Sequence, residues 1–498
     1  KYLVTSSFDT ERQRKEALRT FKSEEYYPVY GDSSTINYDA TDTEGPLYLA
    51  VDWDKSQAIW GNYAVAFNDV EFANYTRSLY GGKLDYKTVA TTDYGAPQTN
   101  VVVFHAEVRQ RSAHNEFLAT GGSLYYFKHQ DIVQGTDKIK LEVRDAVTGL
   151  VKSTVEMDDG VDYNIDYSNG RVLFWRPVSM LAGSNSLISN SILGGDPIYV
   201  VSDYEYFVHD AVAEGTQGVR VAQAVGKDVV VGGTYVSETQ ANRNYQLTGQ
   251  DVTVHLGKDA TVQAEYAETT SDAQNNFIST DGGITFTELA SADNATGRAY
   301  GIKQDARLFD RVGLKSYYKW IDDGFSTGAT TSQQGKELKG LAMTFDVTPV
   351  TRLTASRDIQ RLIDRGNLQT SMQVGAKETT TTLVQLVHDA RRLRLTEEFQ
   401  MVEVKGAEGV TTQKTNALTA AAQAEYALNE KTDISLRHEA ALSGTAKQTT
   451  TVGVKRQVTD KLSMIVEEAL STDGTATKIG ATANVTPKLA LSTDFVLA

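Results

Sequence analysis

Leu418-Thr419-Ala420-Ala421-Ala422-Gln423-Ala424-Glu425-Tyr426, a turn at Asn429-Glu430-Lys431, then Ile434-Ser435-Leu436-Arg437-His438-Glu439: this stretch changes character residue by residue. Leu418, Ala420, Ala422, Ala424 and Tyr426 share one face against Thr419, Gln423 and Glu425, and Ile434, Leu436 and His438 oppose Ser435, Arg437 and Glu439. A period of two residues is the signature of a strand with two unlike faces. The same alternation holds at 252–256, 261–266 and 341–347, where Leu341, Met343, Phe345 and Val347 oppose Ala342, Thr344 and Asp346.

The connections sort by length. Brief turns rich in Asp, Asn, Gly, Pro or Lys recur at Gly226-Lys227-Asp228, Gly257-Lys258-Asp259, Phe309-Asp310, Thr348-Pro349, His388-Asp389-Ala390-Arg391, Asn429-Glu430-Lys431, Thr459-Asp460 and Thr486-Pro487, which read as hairpin turns. Between them lie longer polar connections at 238–249, 269–296, 322–336, 360–368, 405–415, 442–447 and 471–475. Short and long alternate strictly when 369–388 is read as one strand; a turn hidden in Thr379-Thr380-Thr381-Thr382 would break the parity. That gives about sixteen strands after residue 217, most of them long enough for the ~9–11 residue tilted span of a bilayer. Brief turns at one end and long loops at the other are how a transmembrane barrel is strung.

Composition fits this reading without forcing it. The 498 residues carry 49 Lys and Arg against 64 Asp and Glu, a net charge of −15, with no cysteine, 39 Gly and 25 Tyr. Acidity at this level argues against nucleic-acid binding, which leaves a basic footprint. The missing cysteines exclude disulfides and thiolate metal sites. No stretch approaches the ~18–20 apolar residues of a membrane helix, so any span must be made of strands. The start, Lys1-Tyr2-Leu3-Val4, lacks a basic and then apolar leader and reads as a mature or truncated start.

The amino-terminal part is less regular. Residues 9–22 predict a charged surface helix, with Asp9 or Thr10 as cap and Ala17, Leu18 and Phe21 as its apolar stripe. The expected organisation is a helix and loop over 1–46, hairpins over 47–114 that belong to the barrel or precede it, a compact β insertion over 115–196 acting as plug or cap, and the main barrel over 197–498. The segment Pro197 to Phe207 is read as a returning barrel strand.

Four stretches resemble segments of large, poorly characterised Gram-negative outer-membrane β-barrel proteins: Tyr26 to Asp32, Trp60-Gly61-Asn62-Tyr63, Thr120 to Tyr126, and Val161 to Phe174. The second half of the insertion is similar, more loosely, to repeats in the giant barrel translocon of gliding bacteria. The resemblance spans roughly residues 25–210. It implies a carboxy-terminal barrel, often behind arrays of extracellular β modules, and carries no assigned activity and no functional residue.

Catalytic and cofactor signatures are missing. His105, His114, His129, His209, His255, His388 and His438 are scattered without metal spacing, and no nucleophile elbow, Walker A or dinucleotide fingerprint is present. Asp281, Asp293, Asp322 and Asp323 lack the spacing of a calcium loop and read as solvated loop residues. Arg391, Arg392 and Arg394 read as rim charges, and Tyr300, Tyr317, Tyr318, Trp320 and Tyr426 as an aromatic girdle. Arg220, Lys303, Asp305, Lys315, Lys319, Gln373, Lys377, Arg437 and Glu439 are then expected to face the lumen, whether that is a wet channel or a plugged, salt-bridged interior. In the last strand Leu489, Leu491, Phe495 and Leu497 oppose Ser492, Asp494 and Val496, and the sequence closes on Leu497-Ala498 rather than on an aromatic residue. Either further strands are missing or assembly reads another element.

The sequence therefore predicts an all-β fold, a transmembrane antiparallel β-barrel of about sixteen or more strands with an inserted or plugging β-rich region. The expected role is non-enzymatic: a conduit, or an anchor in the outer membrane for surface modules or partner subunits. No cofactor is implied. The partners expected are outer-membrane lipid and partner protein subunits or upstream modules of the same chain, with no nucleic acid. The competing readings are a soluble or surface-exposed all-β binding or adhesin protein, and an outer-membrane enzyme.

Overall fold

A computed structural model describes the chain apart from residues 1, 9–46, 109, 145–148, 150, 183–186, 189–195, 209–213, 241–242, 272–275, 289–294, 328–332, 364–375, 407–414, 444–446, 473, 487–488 and 498. The described residues are strands and their connections, without an α-helix, and none of them forms a helix long and apolar enough to cross a membrane.

Five strands open the chain: β1 (Tyr2–Phe8), β2 (Leu47–Trp53), β3 (Ser56–Ala66), β4 (Thr76–Lys87) and β5 (Thr99–Val108). Eight more follow as an insertion: β6 (Gln110–Leu118), β7 (Leu124–Tyr126), β8 (Lys138–Arg144), β9 (Val151–Met157), β10 (Tyr163–Asp166), β11 (Arg171–Phe174), β12 (Leu181–Ala182) and β13 (Asp196–Phe207). Then come β14 (Glu214–Val225), β15 (Val229–Gln240), β16 (Arg243–His255) and β17 (Ala260–Ser271), and a short pair, β18 (Asn276–Ser279) and β19 (Thr287–Glu288). The chain continues through β20 (Ala295–Leu308), β21 (Val312–Ile321), β22 (Lys336–Thr348), β23 (Thr351–Leu362), β24 (Ala376–Ala390) and β25 (Leu393–Gly406). It ends with β26 (Thr415–Asn429), β27 (Thr432–Ser443), β28 (Gln448–Thr459), β29 (Leu462–Ser471), β30 (Gly474–Thr486) and β31 (Leu489–Leu497).

Among the described residues three sheets result, of 21, 3 and 7 strands. The largest is an antiparallel ladder in chain order from β1 to β31. It skips the insertion where β5 pairs with β14, and skips β18 and β19 where β17 pairs with β20. Sixteen of its strands follow the insertion. The run Thr379 to Thr382 lies inside β24, so the parity of turns and loops holds. All eight brief turns read from the sequence fall at one end of the ladder. Local chemistry explains why: Gly226 and Gly257 take positive φ, and Phe309 and Asp310 both do, at 54° and 55°, as a tight twisted hairpin turn requires.

Several expectations need correction. Residues 2–8 are a strand rather than part of a helix and loop, and the helix read at 9–22 lies outside the described residues. Gln110 already belongs to the insertion, and Asp196–Phe207 is not a barrel strand: it is the centre of the seven-stranded sheet, between β6 and β8. The connection expected at 238–249 is mostly strand, since β15 and β16 stay paired from Val229↔Val254 to Gln240↔Arg243. The stretch 269–296 is not a free loop either, because β18 leaves the wall and adds to β6 in parallel.

The two faces of the main sheet are chemically distinct. On β27 the outward Ile434, Leu436 and Leu442 are exposed, while Arg437 on the other face is buried. Outward Tyr300 stacks on Trp320 at 6.2 Å and lies 6.3 Å from Tyr318, an aromatic belt near the long-loop end. Tyr426 is also exposed. Tyr317, expected in that belt, points inward instead and donates its hydroxyl to Asp358 at 2.9 Å.

Candidate functional site

The inner face is filled from the long-loop end. Along β21 the inward side chains pass from Lys315, 72% exposed, through Lys319, 19%, to Ile321, which is fully buried. What fills it starts with the connection between β3 and β4. Phe67, Phe72 and Phe104 pack with Val236, Leu247 and Phe325 into one core, each large buried side chain contributing about 1.5–3 kcal/mol. The main chain of that connection is held by a wall carboxylate: Glu265 accepts the N–H groups of Glu71, Phe72 and Ala73 at 2.8, 2.7 and 2.6 Å. Arg220 binds Asp69 at 2.7 Å and Asp251 at 2.9 Å, and Lys319 pairs with Glu71.

The insertion supplies the rest. Its seven-stranded sheet runs β19-β18-β6-β13-β8-β9 with β12 beside β13, and its small sheet is β10-β11-β7. Phe117, Tyr125, Phe127, Tyr163, Phe174 and Tyr204 bury one another between them. β18 and β19 bring wall-derived Phe277 and Phe286 onto this core, Phe286 lying 5.9 Å from Phe117. Since β17 and β20 flank this pair in the chain, it straps the insertion to the wall.

Two further ties run to different parts of the wall. Arg77 of β4 donates through Nε to Glu205 of β13 at 2.7 Å and through Nη1 to Glu238 of β15 at 2.8 Å, all three side chains buried. Well along the ladder, fully buried Glu398 of β25 accepts the N–H groups of Leu187 and Ile188 at 2.9 and 3.2 Å. Gln385 donates to the same carboxylate at 2.8 Å, and Arg437 of β27 donates to the Leu187 carbonyl at 3.4 Å. The insertion is thus bonded to inner faces many strands apart.

The residues expected in the lumen separate into groups. Arg220, Lys319 and Arg437 are engaged by inward loops or the insertion. Lys315 and Asp305 pair at 3.3 Å in a solvent-exposed part near the short turns. Lys303 lines a cleft with Asp69, Glu71, Asp251, Glu265 and Lys319. Glu439 shares the half-buried inner row of β27 with Arg437. Gln373 lies outside the described residues, and Lys377 is described as backbone only. Arg77, Glu205, Glu265 and Glu398 were not singled out by sequence; the one available signal was a charge in the polar row of an alternating strand, which many residues share.

On the insertion, His114 lies between Asp203, 2.7 Å from Nδ1, and Glu116, 3.3 Å from Nε2. Arg144 joins Glu116 and Glu142, each at 2.7 Å. Burial works against a charged imidazole, but Asp203 and Glu116 outweigh it and raise the His114 pKa from 6.5 to about 9. Burial also opposes ionisation of Glu116, and Arg144 and His114 overcome it, holding the carboxylate below its ordinary 4.5. The raised histidine stabilises fully below about 6.5 and loses its contribution as pH rises through about 9, and the lowered carboxylate does so above 4.5 and fails on acidification. Stability of the insertion is expected to peak between about pH 5 and 6.5. In thermal melts His114→Gln should flatten the alkaline limb; an unchanged limb would remove His114 as its cause.

Among the described residues no group of three or more His, Asp or Glu side chains is arranged to hold a metal ion. Asp281 instead closes its own loop, accepting from Ser279, Ile284 and Thr285.

No protein-family model matches the chain, and no curated protein does. Among solved structures, the P pilus usher PapC translocation pore is similar at 10% identity, covering 91% of this chain and 82% of that one with a TM-score of 0.44. The ferric enterobactin receptor PfeA of Pseudomonas aeruginosa matches at 9% identity over 90% and 71%, TM-score 0.32. The FrpB iron transporter of Neisseria meningitidis matches at 10% over 57% and 59%, TM-score 0.31. With every one of these scores under 0.5, the functional reading stands on the chain's own residues.

Proposed function

We propose that the protein is an outer-membrane β-barrel whose lumen is closed at rest by its own insertion, and that it works as a gated conduit for partner subunits or modules rather than as an enzyme. The supporting observation is that one insertion is bonded to inner faces many strands apart, through Arg77 on one side and Glu398 and Arg437 on the other. An anchor with an unused lumen has no need of buried ion pairs between plug and wall. Among the described residues the sheet has 21 antiparallel strands, so its end strands β1 and β31 run the same way, and a closure between them would be a parallel pair. The resemblance of its sequence to large Gram-negative outer-membrane barrels supports the same placement.

Membrane placement has a direct test. Leu436 faces outward, halfway along β27, and Ser435 faces inward. Leu436→Arg is expected to cost about 2–4 kcal/mol in a bilayer, as for charge on the lipid face. Ser435→Arg should cost far less, read as the folded fraction by heat-modifiable migration. Equal costs would sink the transmembrane reading. Closure is tested by conductance in planar bilayers: the wild type should pass little current, and Glu398→Ala should produce frequent open bursts. A wild-type lumen that is steadily open would refute the plug.

A further inference from the structure

On the outer face near the long-loop end, Tyr266, Tyr300 and Trp320 of β17, β20 and β21 are successive ladder partners, and the same row passes straight into Glu337 of β22 and Arg361 of β23. The aromatic belt thus continues as a belt of charge. Glu337 binds Lys339 at 2.8 Å and Arg361 at 3.3 Å, and the Lys339 ammonium lies 5.5 Å from the Tyr318 ring. Arg357 shares this outward face, because its neighbour Asp358 points inward to Tyr317. It stands in the row of Ser316 and Leu341, one outward step nearer the short turns than the row of Tyr318 and Lys339. Arg357 is exposed, its direct ladder partners are Leu341 and Thr382, and no hydrogen bond or ion pair reaches its guanidinium from the described residues. Since the aromatic belt marks the edge of the hydrocarbon region, this is a bare cation on the lipid side of that edge.

Resting on the transmembrane reading, we propose that Arg357 and Lys339 form a binding site on the outer wall for the phosphate of an outer-leaflet lipid. A charge on the lipid face is costly unless something neutralises it, and the wall offers Arg357 no carboxylate. Glu337 is already shared by Lys339 and Arg361, Glu378 opposite Arg361 is paired with Lys405, and outward Glu403 stands two strands away, opposite Thr380. The missing anion therefore comes from the lipid. A guanidinium takes a phosphate through two parallel N–H bonds, and an ammonium adds a point charge. Lys339 is placed to help, because its direct ladder partner is Ile359 and Arg357 is therefore its diagonal neighbour, a separation that long side chains span. Headgroup phosphates lie at the depth of the belt, whereas a free anion from water would have to pass the belt to reach the same atoms.

The test uses the full chain in a non-ionic detergent, titrated with bisphosphorylated lipid A or with the same lipid stripped of its phosphates, with bound lipid counted by native mass spectrometry. The phosphorylated form is expected to bind about tenfold or more tightly than the stripped one, the worth of hydrogen bonds to a charged group. Arg357→Gln should remove that preference, and Arg357→Lys should restore part of it, because the charge returns without the fork. Lys339→Gln should weaken binding several-fold, while Arg456→Gln, an outward cation at the short-turn end of β28, should leave it unchanged. The proposal is overturned if the stripped lipid binds as tightly as its parent, or if Arg357→Gln binds like the wild type, which would mean that the guanidinium reaches water unaided. Displacement of the lipid by inorganic phosphate alone would overturn the assignment to a lipid. Loss of the phosphate preference in a chain that still separates Leu436→Arg from Ser435→Arg removes this site and keeps the membrane placement; equal costs for those two variants remove the placement itself.

Discussion

Arg77→Ala is expected to destabilise the folded protein by about 3–5 kcal/mol, the range for removing one partner of a buried ion pair. The guanidinium sits between two carboxylates, Glu205 at 2.7 Å and Glu238 at 2.8 Å, and all three side chains are buried. Tyr75 adds its hydroxyl to Glu238 at 2.6 Å, and the Ser78 N–H reaches Glu205 at 3.1 Å. Those two donors cannot neutralise the charges that remain. Deleting the cation leaves two buried acids whose only relief is protonation or hydration, and hydration here means opening the joint between insertion and wall. Arg77→Lys should recover only part of the loss, because an ammonium lacks the planar fork that serves two carboxylates at once. Arg77→Met with Glu205→Leu and Glu238→Leu should be far milder than Arg77→Ala, since a dry apolar joint avoids the uncompensated charge. The readout is the temperature at which the compact, heat-modifiable form converts to the slow-migrating one, together with open bursts in conductance. A shift within error for Arg77→Ala would mean that this joint is hydrated and bears no load.

The wall was legible because its rules are local. Val252, Val254 and Leu256, or Leu341 and Met343, show their faces by alternation alone, and Gly226, Gly257 and Asp310 mark turns through backbone preference. The interior was not legible, because it is built from pairings distant in sequence. Glu398 lies beside Glu397 in a strand with no motif, and its partners in the insertion are more than two hundred residues earlier. Pro197 to Phe207 reads as a strand as long as those of the barrel, and only its pairing with Gln110–Leu118 and Lys138–Arg144 assigns it to the insertion. The same holds for 276–288: polar spacing read as a loop, while Phe277 and Phe286 find their partners in a core formed by other segments. Arg220 and Arg437 were recognised as inward by parity, but parity does not tell a wet charge from one held by a plug. Tyr317 was misplaced because it adjoins Tyr318, and neighbours on a strand face opposite ways.

Gly297→Ala is expected to produce the second large effect. A Cβ at this position would lie 2.0 Å from the Phe325 nitrogen, 2.2 Å from the Gly324 carbonyl carbon and 2.4 Å from the Phe325 Cα. All three are backbone atoms, so no rotamer change relieves the clash; the connection after β21 must move away from β20. That connection is packed, not free. Phe325 is fully buried against Phe72 at 6.3 Å, edge to face, the Ser326 N–H donates to Thr269 at 2.9 Å, and the Ser326 carbonyl accepts from Tyr245 at 3.2 Å. Displacement gives up the burial of one aromatic ring, about 3–5 kcal/mol by the cost of truncating a core phenylalanine, and exposes the core behind the inward connection at Phe72. Phe325→Ala loses the same ring without forcing the backbone. The pair therefore separates the two causes: if the clash displaces the connection, Gly297→Ala should be at least as destabilising as Phe325→Ala, and the double variant little worse than Gly297→Ala alone. Additive losses in that cycle would show that the glycine and the ring act independently and that the connection stays seated when the Cβ is added.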